Sequence, residues 1–511
     1  MDLRKIDNLG AAIYGRPDAH PWLVELDADG RERRYSYGDL RRLSAGVARA
    51  LRARGLPDGA RIGLMGANSA EYLLSFYGIM QAGYCAVPIG IKLAADTVAH
   101  ILDDARVDLV YADEAQAGRL PAALPRLPLD DAAAWRAHLD EGAWTPRPAA
   151  PGDAAIILYT SGSTGVPKGV PLTHGGYLWT LDQVAVNGGS FMAESATAVL
   201  AAAPLSHMNA LFLSQTVTAY GATEVLMRQF SAGGYLQAAA RHRCGIVTAV
   251  PTMLALCLRE RALLPELDLG SVRVVAMGSA PVTDALFQQV GALFPNASVA
   301  NGWGTTETGP AVFGPHPQGL PRPPLSLGHP LPAVQVRLLP ADAPPQDPAQ
   351  AEGLDEGELY VRNGAVMPGY LNRPADTAKR LVHGWYRTGD IMRRDIDGFY
   401  YFVGRADDMF VCGGENIYPG EVERLLERHP GIAQAAVVPI DDEIKGQIPV
   451  AFVVRAPGGA LTADEVKAYA LANAPAYQHP RFVVFLDQLP LSAANKVDKK
   501  ALSAQVAGLR R

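Results

Sequence analysis

Apolar side chains follow two alternating patterns in the first part of the chain. Leu40, Leu43, Val47 and Leu51 lie three or four positions apart, which places them on one face of a predicted helix. The segment 61–65 is short and mostly apolar, which is typical of a buried strand. Strands that alternate with amphipathic helices predict an α/β fold in which helices cover the faces of a sheet.

The rest of the chain changes pattern twice. Strand-like runs at 357–361 and 399–403 predict a β subdomain after the Pro-rich segment 340–348. Helical and strand patterns then continue towards the C-terminus over a length that suits a small α+β domain. We therefore expect a large N-terminal domain of layered α/β sheets with a β subdomain, residues 1–404, and a small α+β C-terminal domain, residues 405–511.

Composition narrows the class of protein. The chain has 511 residues, of which 49% are hydrophobic and 19% charged, as in an ordinary soluble globular protein. Its net charge of −6 argues against a nucleic-acid partner, because a phosphate backbone requires a basic surface. The four cysteines have no C-x-x-C spacing, which argues against a zinc site. Since the N-terminus lacks a signal-peptide pattern and no apolar run reaches the roughly 20 residues of a membrane span, we expect a cytoplasmic protein.

A loop of small and hydroxylated residues follows the apolar run 154–158. Glycines let the backbone approach an anion closely, and backbone N–H groups, hydroxyls and a lysine all favour negative charge. The loop therefore predicts a phosphate-binding site. It is not a Walker A loop, because Pro167 precedes Lys168 and Gly169 follows it. The candidate nucleotide-binding residues of this loop are Thr160, Ser161, Gly162, Ser163, Thr164, Gly165 and Lys168.

A second motif, at 301–308, combines an aromatic side chain with a carboxylate. The Trp303 ring offers a flat face to a base, and Glu307 is the kind of hard oxygen ligand that Mg²⁺ prefers beside phosphate oxygens. On its own, the Thr-Thr-Glu tripeptide would fit the start of a helix equally well. The candidate residues of this motif are Gly302, Trp303, Gly304, Thr305, Thr306 and Glu307.

Three further motifs lie towards the C-terminus. Asp390 follows a threonine and a glycine, and its carboxylate can accept hydrogen bonds from two hydroxyls. Arg405 and Asp407 precede a pair of glycines, which suits a loop that passes close to a ligand or changes conformation. Lys496 belongs to a basic segment that, taken alone, would be a solvated face.

These five motifs, in this order and over essentially the whole chain, resemble the adenylate-forming superfamily of acyl- and aryl-CoA synthetases, carrier-loading adenylation domains and luciferases. The resemblance implies that Trp303 lies against adenine, that Glu307 holds magnesium and that Asp390 accepts hydrogen bonds from the ribose. It also implies that Arg405 contacts the nucleotide and that Lys496 reaches from the small domain to the carboxylate and the α-phosphate, where an ammonium stabilises developing negative charge.

The resemblance further implies that the C-terminal domain is mobile. Asp407 would be the pivot between the two domains, and Gly413, Gly414 and Glu415 would face the channel that admits the thiol. The small domain would rotate about this hinge, because the two half-reactions need different surroundings. Lys496 would serve the first half-reaction and the glycine loop the second.

The residues around the acid are less specific. Carrier-loading domains for amino acids commonly have an aspartate at the position of His207. Many acyl- and aryl-CoA synthetases have a histidine there, as this chain does, and we assign it a gating or positioning role. Small residues leave room for an apolar tail or ring, so aryl, medium-chain and short branched acids all remain open. The candidate residues of the acid pocket are His207, Met208, Asn209, Gly278, Ser279, Ala280 and Gly302.

The sequence thus predicts an ATP- and Mg²⁺-dependent carboxylic acid:CoA ligase with Lys496, Glu307 and His207 as catalytic residues. The acid would be activated as acyl-AMP with release of pyrophosphate, and its acyl group would pass to the thiol of coenzyme A with release of AMP. Two alternatives stay open: a stand-alone adenylation enzyme that loads a carrier protein, and a nucleotide-binding regulator without turnover. The sequence also allows a homodimer.

Overall fold

A computed structural model describes the chain at residues 2–13, 15–160, 166–184, 198–280, 282–341, 347–491 and 497–506. Its α-helices are α1 (Tyr37–Ala53), α2 (Ala70–Gln81), α3 (Ala95–Asp104), α4 (Ala132–Ala137), α5 (His174–Val184), α6 (Met208–Tyr220), α7 (Ala232–Arg241), α8 (Pro251–Cys257), α9 (Asp284–Leu293), α10 (Pro374–Arg380), α11 (Pro419–Glu427), α12 (Ala463–Asn473) and α13 (Lys499–Val506).

The strands alternate with these helices in the first 300 residues and then dominate. They are β1 (Pro21–Leu26), β2 (Glu32–Ser36), β3 (Arg61–Met65), β4 (Cys85–Pro88), β5 (Leu109–Ala112), β6 (Arg126–Pro128), β7 (Ala154–Thr160), β8 (Lys168–Thr173), β9 (Ala198–Ala201), β10 (Thr223–Met227), β11 (Ile246–Ala249), β12 (Val274–Gly278), β13 (Ser298–Gly302), β14 (Phe313–Gly314), β15 (His329–Pro330), β16 (Gln335–Leu339), β17 (Glu356–Arg362), β18 (Leu381–Val382), β19 (Trp385–Arg394), β20 (Tyr400–Arg405), β21 (Phe410–Cys412), β22 (Glu415–Ile417), β23 (Ile432–Asp442), β24 (Gly446–Arg455) and β25 (Phe482–Phe485).

The predicted elements of the first domain are present. Helix α1 contains the predicted apolar face and begins with a capping box, in which Ser36 and Asp39 satisfy each other's backbone N–H groups. Gly55 follows the helix with a φ of 70°, a left-handed conformation that glycine adopts without strain. Strand β3 covers 61–65, as the apolar pattern predicts.

Two sheets form the N-terminal domain. The seven-stranded sheet has the order β13-β12-β11-β9-β10-β1-β2, and all of its neighbours are parallel except β1 and β2. The six-stranded sheet has the order β6-β5-β3-β4-β7-β8, in which only β7 and β8 pair antiparallel. In each sheet, the carboxyl ends of the parallel strands therefore lie along one edge. Open parallel sheets bind ligands at this edge.

Helices and sheets alternate in layers. The largest apolar core joins side chains of both sheets with those of α1, α2, α5 and α6, so these helices lie between the sheets. Helix α2 is buried along its whole length for this reason. A second core packs α7, α8 and α9 on the outer face of the seven-stranded sheet, and a third packs α3 on the outer face of the six-stranded sheet.

The C-terminal part of the chain builds two further sheets. Strands β16, β17, β19, β18 and β20 form the predicted β subdomain. Strands β22, β21, β24, β23 and β25 form another sheet, whose core contains residues from Phe410 to Val506 and none before Phe410. A small C-terminal unit with its own core is therefore present. The expected boundary at 404/405 lies within β20, and the position at which the domains divide stays a prediction.

Candidate active site

The candidate acid pocket lies at the carboxyl edge of the seven-stranded sheet. Gly278 ends β12 and pairs in register with Gly302 at the end of β13. Asn209, in the first turn of α6, donates from Nδ2 to Ser279 Oγ at 3.2 Å, and Ala280 follows half-buried. Ser279 has a φ of 68°, a conformation that is uncommon outside glycine and concentrated at ligand sites. The fold thus brings the predicted acid-pocket segments together.

His207 and Met208 stand at the entry to α6. His207 has an extended backbone, with φ of −114° and ψ of 148°, and its side chain does not cap the helix. The Tyr177 hydroxyl lies 3.8 Å from Met208 Sδ. Met208 also lines a small cavity with Gly309, which ends the turn that carries Glu307. The start of α6 therefore borders both the acid pocket and the carboxylate turn.

A buried carboxylate links the aromatic motif to the end of the β subdomain. Trp303 Nε1 donates to Asp390 Oδ2 at 2.7 Å, while Arg405 Nη1 donates to Asp390 Oδ1. Asp390 on β19 pairs in register with Arg405 on β20, so the backbone ladder itself sets the ion pair. Gly304 packs so tightly that a Cβ there would lie 2.6 Å from the Pro310 Cα. The Trp303 side chain is thus held by its hydrogen bond to Asp390, and the residue that follows it has no room for a side chain.

Opposing effects act on the charge of Asp390. The residue is only 4% exposed, and burial raises the pKa of its carboxyl above the ordinary value. The positive charge of Arg405 and the hydrogen bond from Trp303 act in the opposite direction. Each carboxylate oxygen has more than one acceptor direction, so oxygens that already accept from the protein can also accept from hydroxyls of a ligand.

Glu307 lies in a tight turn. The Thr308 N–H donates to Thr305 Oγ1 at 3.1 Å, and Thr305 and Gly309 form an antiparallel bridge that closes the turn around Thr306 and Glu307. No helix begins at this turn, so the alternative of a helix start for Thr-Thr-Glu is wrong. The turn instead aims a carboxylate away from regular structure.

Two tyrosines hold the Glu307 carboxylate, which is 8% exposed. The Tyr370 hydroxyl donates to Glu307 Oε1 at 2.9 Å and lies 3.2 Å from the Tyr386 hydroxyl. Burial, followed by the charge of Glu307, raises the pKa of Tyr370, and the same causes raise the pKa of Tyr386 well above its ordinary value. Both tyrosines therefore stay neutral and act as hydrogen-bond donors. Glu307 also lies near enough to Asp390 for its charge to raise the pKa of that residue.

The two strands that flank the predicted phosphate loop in the chain form an antiparallel pair. Thr160 ends β7 and pairs with Lys168, the first residue of the antiparallel strand β8. A hairpin differs from the strand–loop–helix arrangement of a Walker A site, in agreement with the failed Walker spacing. Lys168 Nζ lies 3.1 Å from Asp376 Oδ2 and 5.3 Å from the centroid of the Tyr370 ring. The lysine thus reaches the neighbourhood of Glu307.

Several predicted residues lie outside the part of the chain that the structure describes. They are Ser161, Gly162, Ser163, Thr164, Gly165 and Lys496.

The predicted hinge is a short 3₁₀ turn, Ala406–Asp408, between β20 and β21. Asp407 Oδ2 accepts from Arg380 Nη2 at 3.1 Å and from Arg405 Nη2 at 3.4 Å. Gly413 and Gly414 have φ of 62° and 91°, which only glycine adopts readily, and they form an exposed turn that precedes Glu415. The Gly413 N–H donates to Lys445 O at 2.9 Å, which ties this turn to the hairpin of β23 and β24.

Sequence reasoning missed four side chains that complete the site. Tyr370 donates to the Glu307 carboxylate, and Tyr386 hydrogen-bonds to Tyr370. Asp376 and Arg380 pair with the predicted phosphate-loop lysine and the predicted hinge aspartate. Asp376 and Arg380 belong to the short helix α10, where acidic and basic residues at i and i+4 are ordinary on any exposed helix. For one of these four residues the sequence did carry a signal of a functional role: Tyr370 is an aromatic residue beside a glycine in a region of turns.

Within the residues with described positions, no group of three or more His, Cys, Asp or Glu side chains could hold a metal ion. Among the same residues, no helix is both long and apolar enough to cross a membrane.

This layered fold and the clustering of Trp303, Glu307, Asp390 and Arg405 define the class of adenylate-forming ligases. Sequence models bear this out. The model for AMP-binding enzymes matches residues 12–371, and the model for the AMP-binding enzyme C-terminal domain matches residues 421–496. The chain belongs to the AMP-binding enzyme family, and it is an acyl-CoA synthetase of the adenylate-forming type.

Individual relatives agree with this assignment. The chain is 34% identical over 467 residues to a feruloyl-CoA synthase from Amycolatopsis sp, covering 91% of this chain and 92% of the relative. It is 32% identical over 484 residues to the fatty acid–[acyl-carrier-protein] ligase ScoC from Streptomyces coeruleorubidus, covering 92% and 91%. The crystal structure of ATP-bound MatB from Rhodopseudomonas palustris superposes with a TM-score of 0.87 at 25% identity and covers 99% of this chain and 100% of that one.

Proposed function

We propose that the enzyme activates an aryl-substituted carboxylic acid with Mg·ATP and transfers the acyl group from acyl-AMP to coenzyme A. One observation carries the proposal: Trp303, Asp390, Arg405 and Glu307 converge on one region that also receives Lys168. An aromatic face, an acceptor for hydroxyls, a metal-binding carboxylate and a cation are the groups that a Mg-nucleotide needs. The feruloyl-CoA synthase named above supports an aryl acid and coenzyme A as acceptor.

The nucleotide roles follow from the chemistry of each group. Trp303 stacks against adenine, and Asp390 accepts hydrogen bonds from the ribose while it stays paired with Arg405. Lys168, with Thr160 and the loop 161–165, holds the β- and γ-phosphates that leave as pyrophosphate. The loop was assigned from the sequence alone, and its role rests on the hairpin that carries it.

Glu307 would hold magnesium. A single carboxylate, oriented here by Tyr370, suits Mg²⁺, because this ion takes one or two protein carboxylates and completes its octahedron with phosphate oxygens and water. When bound, the ion would neutralise negative charge on the phosphates during attack of the acid on ATP. Glu307 would orient the ion, and Tyr370, which is itself hydrogen-bonded to Tyr386, keeps the carboxylate in place.

The acid lies at the carboxyl edge of β12 and β13. Gly278, Ser279, Ala280 and Gly302 leave space for a ring, and Asn209 faces that space through its hydrogen bond to Ser279. His207 and Met208 border the path between this pocket and the Glu307 turn. We assign His207 a positioning role for the carboxylate.

The two half-reactions use different faces of the C-terminal domain. The domains divide between residues 404 and 405, and Asp407, in the turn that follows, is the pivot. Lys496 serves adenylation, and the Gly413–Gly414 turn faces the thiol. Lys496→Ala should abolish pyrophosphate release yet spare thioester formation from supplied acyl-adenylate. Equal loss of both half-reactions would refute this division of labour.

A carrier protein is the second candidate acceptor, because ScoC, at 32% identity, is named a fatty acid–[acyl-carrier-protein] ligase. Purified enzyme should be assayed for AMP release over ferulic, 4-coumaric and medium-chain acids, with either free coenzyme A or a phosphopantetheinylated carrier. We expect AMP release with aryl acids and coenzyme A. In the cell, we place the enzyme in the cytoplasm, where both ATP and coenzyme A occur. Preference for the carrier would select the second candidate, and no AMP with any acid would leave only the nucleotide-binding regulator.

A further inference from the structure

Helix α10 (Pro374–Arg380) lies between the phosphate loop and the hinge and contacts both through charged side chains. At one end, Asp376 Oδ2 pairs with Lys168 Nζ at 3.1 Å. At the other end, Arg380 Nη2 pairs with Asp407 Oδ2 at the same distance, 3.1 Å. A helix is rigid over such a length, so the two ion pairs are joined by one stiff element.

The pair at the phosphate-loop end is largely shielded from solvent. The side chains of Lys168 and Asp376 are 14% and 26% exposed, so salt screens them less than it screens a surface pair. The backbone adds a second connection, because Leu371 N donates to Gly169 O at 2.8 Å just before the helix begins. Tyr370, which binds Glu307, lies beneath the same lysine.

The hinge end is equally specific. The Arg380 guanidinium passes over Gly389, where a Cβ would lie 2.8 Å from its Nη1 and 3.1 Å from Arg405 Nη2. Arg380 Nη1 also reaches Arg387 O at 3.5 Å. Asp407 is therefore shared by two arginines, one from α10 and one from the strand that carries the nucleotide pair with Asp390.

We propose that α10 couples the phosphate loop to the domain hinge, with Asp376 and Arg380 as positioning residues for Lys168 and Asp407. Triphosphate binding at Lys168 competes with Asp376 for the ammonium, and the rigid helix passes this change to the hinge carboxylate through Arg380. The inference rests on the proposed function in one respect only, namely that Lys168 binds phosphate groups of a nucleotide.

The first test is a double-mutant cycle with Asp376→Asn, Arg380→Gln and their combination. Pyrophosphate exchange measures adenylation, and thioester formation from supplied acyl-adenylate measures the second half-reaction. We expect Arg380→Gln to change the ratio of the two rates by about twofold to fivefold, the upper part of the range for a partly exposed ion pair. Arg380→Lys should restore part of the ratio, and the two single effects on the KM for ATP should not multiply in the double variant. Lys379→Gln, on the exposed side of the same helix, is the control.

The second test needs no turnover. Trypsin cleavage after Arg428, an exposed residue of the C-terminal domain that pairs with Asp284 at 3.4 Å, is followed with and without a non-hydrolysable ATP analogue. In the unmodified enzyme and in Lys379→Gln, we expect the analogue to change the cleavage rate, and we expect Asp376→Asn and Arg380→Gln each to remove most of that change. Coupling is refuted if the cleavage response persists in both variants, or if their KM effects multiply while the ratio of half-reactions stays constant. A protein that forms no AMP with any acid but shows the coupled cleavage response would instead refute only the proposed function.

Discussion

The proposed nucleotide wall, formed by Trp303, Asp390 and Arg405, and the proposed acid pocket lie side by side but are built differently. In the nucleotide wall, Asp390 is 4% exposed. Its Oδ2 accepts a hydrogen bond from Trp303 and its Oδ1 accepts one from Arg405. In the acid pocket, one exposed hydrogen bond joins Asn209 to Ser279, and the neighbouring residues are small. Under the proposed roles, the nucleotide is bound by buried, charged groups, whereas the acid meets small residues and one exposed hydrogen bond.

A second contrast separates two buried carboxyl groups. Asp390 has a cation partner, whereas Glu224, buried on β10 behind α6, accepts only from Ser214 Oγ at 2.7 Å, and its Oε2 has no partner in the described part of the chain. Burial accordingly raises the pKa of Glu224 to about 8. Burial raises the pKa of both carboxyl groups, and at Asp390 the charge of Arg405 acts against this effect.

The largest effect should follow from removing the carboxylate of the nucleotide wall. Asp390→Ala leaves Arg405 and Trp303 without their acceptor, and we expect kcat/KM for ATP to fall about 100-fold, or ~3 kcal/mol, the low end for breaking a buried pair because Arg405 is partly exposed. Steady-state pyrophosphate release measures it. Asp397→Ala, on the exposed turn between β19 and β20, is the control. A loss below threefold would mean that the wall is not the nucleotide site.

Glu224→Gln should change how the free energy of unfolding depends on pH. The native pKa of about 8 lies above the ordinary 4.5, so the protein loses stability as the pH rises from 4.5 through about 8. Glutamine removes this loss, and the advantage of the variant in free energy of unfolding should grow by about 1.4 kcal/mol per pH unit, or ~3 kcal/mol between pH 5.5 and 7.5. Denaturant unfolding at both pH values measures it. The exposed variant Glu443→Gln should show no such growth, and a pH-independent difference for Glu224→Gln would contradict burial as the cause.

Gly389→Ala should disturb the nucleotide wall without touching a charge. Gly389 has a φ of 77°, and an added Cβ would crowd the guanidinium groups of Arg380 and Arg405. We expect the KM for ATP to rise about tenfold, together with a stability loss of about 1 kcal/mol from the left-handed backbone. Gly384→Ala is a matched control, since Gly384 has a φ of 78° but its nearest neighbour would be 4.0 Å away. The same rise in KM in both variants would assign the effect to backbone strain alone.

The smallest effect should come from the acid pocket. Asn209→Ala removes one exposed hydrogen bond, so we expect the KM for the acid to change by about twofold to fivefold while the KM for ATP stays constant. Varying the acid and the nucleotide separately measures both values. An equal change in the two constants would erase the contrast between the two regions.

The sequence predicted the elements of the fold and the candidate residues of the nucleotide wall for a simple reason. Apolar periodicity and glycine signals are local, so α1 and β3 could be placed from the printed residues alone. The motifs around Trp303, Asp390 and Arg405 are short and distinctive, and they identified the family that the sequence models then confirmed. Their assignment to individual roles remains a proposal.

Contacts between distant segments could not be predicted in this way. The ion pair of Lys168 with Asp376 spans two separate parts of the chain, and nothing in either segment names the other. The same holds for the hydrogen bond from Tyr370 to Glu307 and for the pair of Arg380 with Asp407. The sequence by itself determined which chemistry the chain carries, because motif composition is local. Only the tertiary structure decided which charges are paired, since pairing depends on how the sheets and α10 bring remote segments within hydrogen-bond distance.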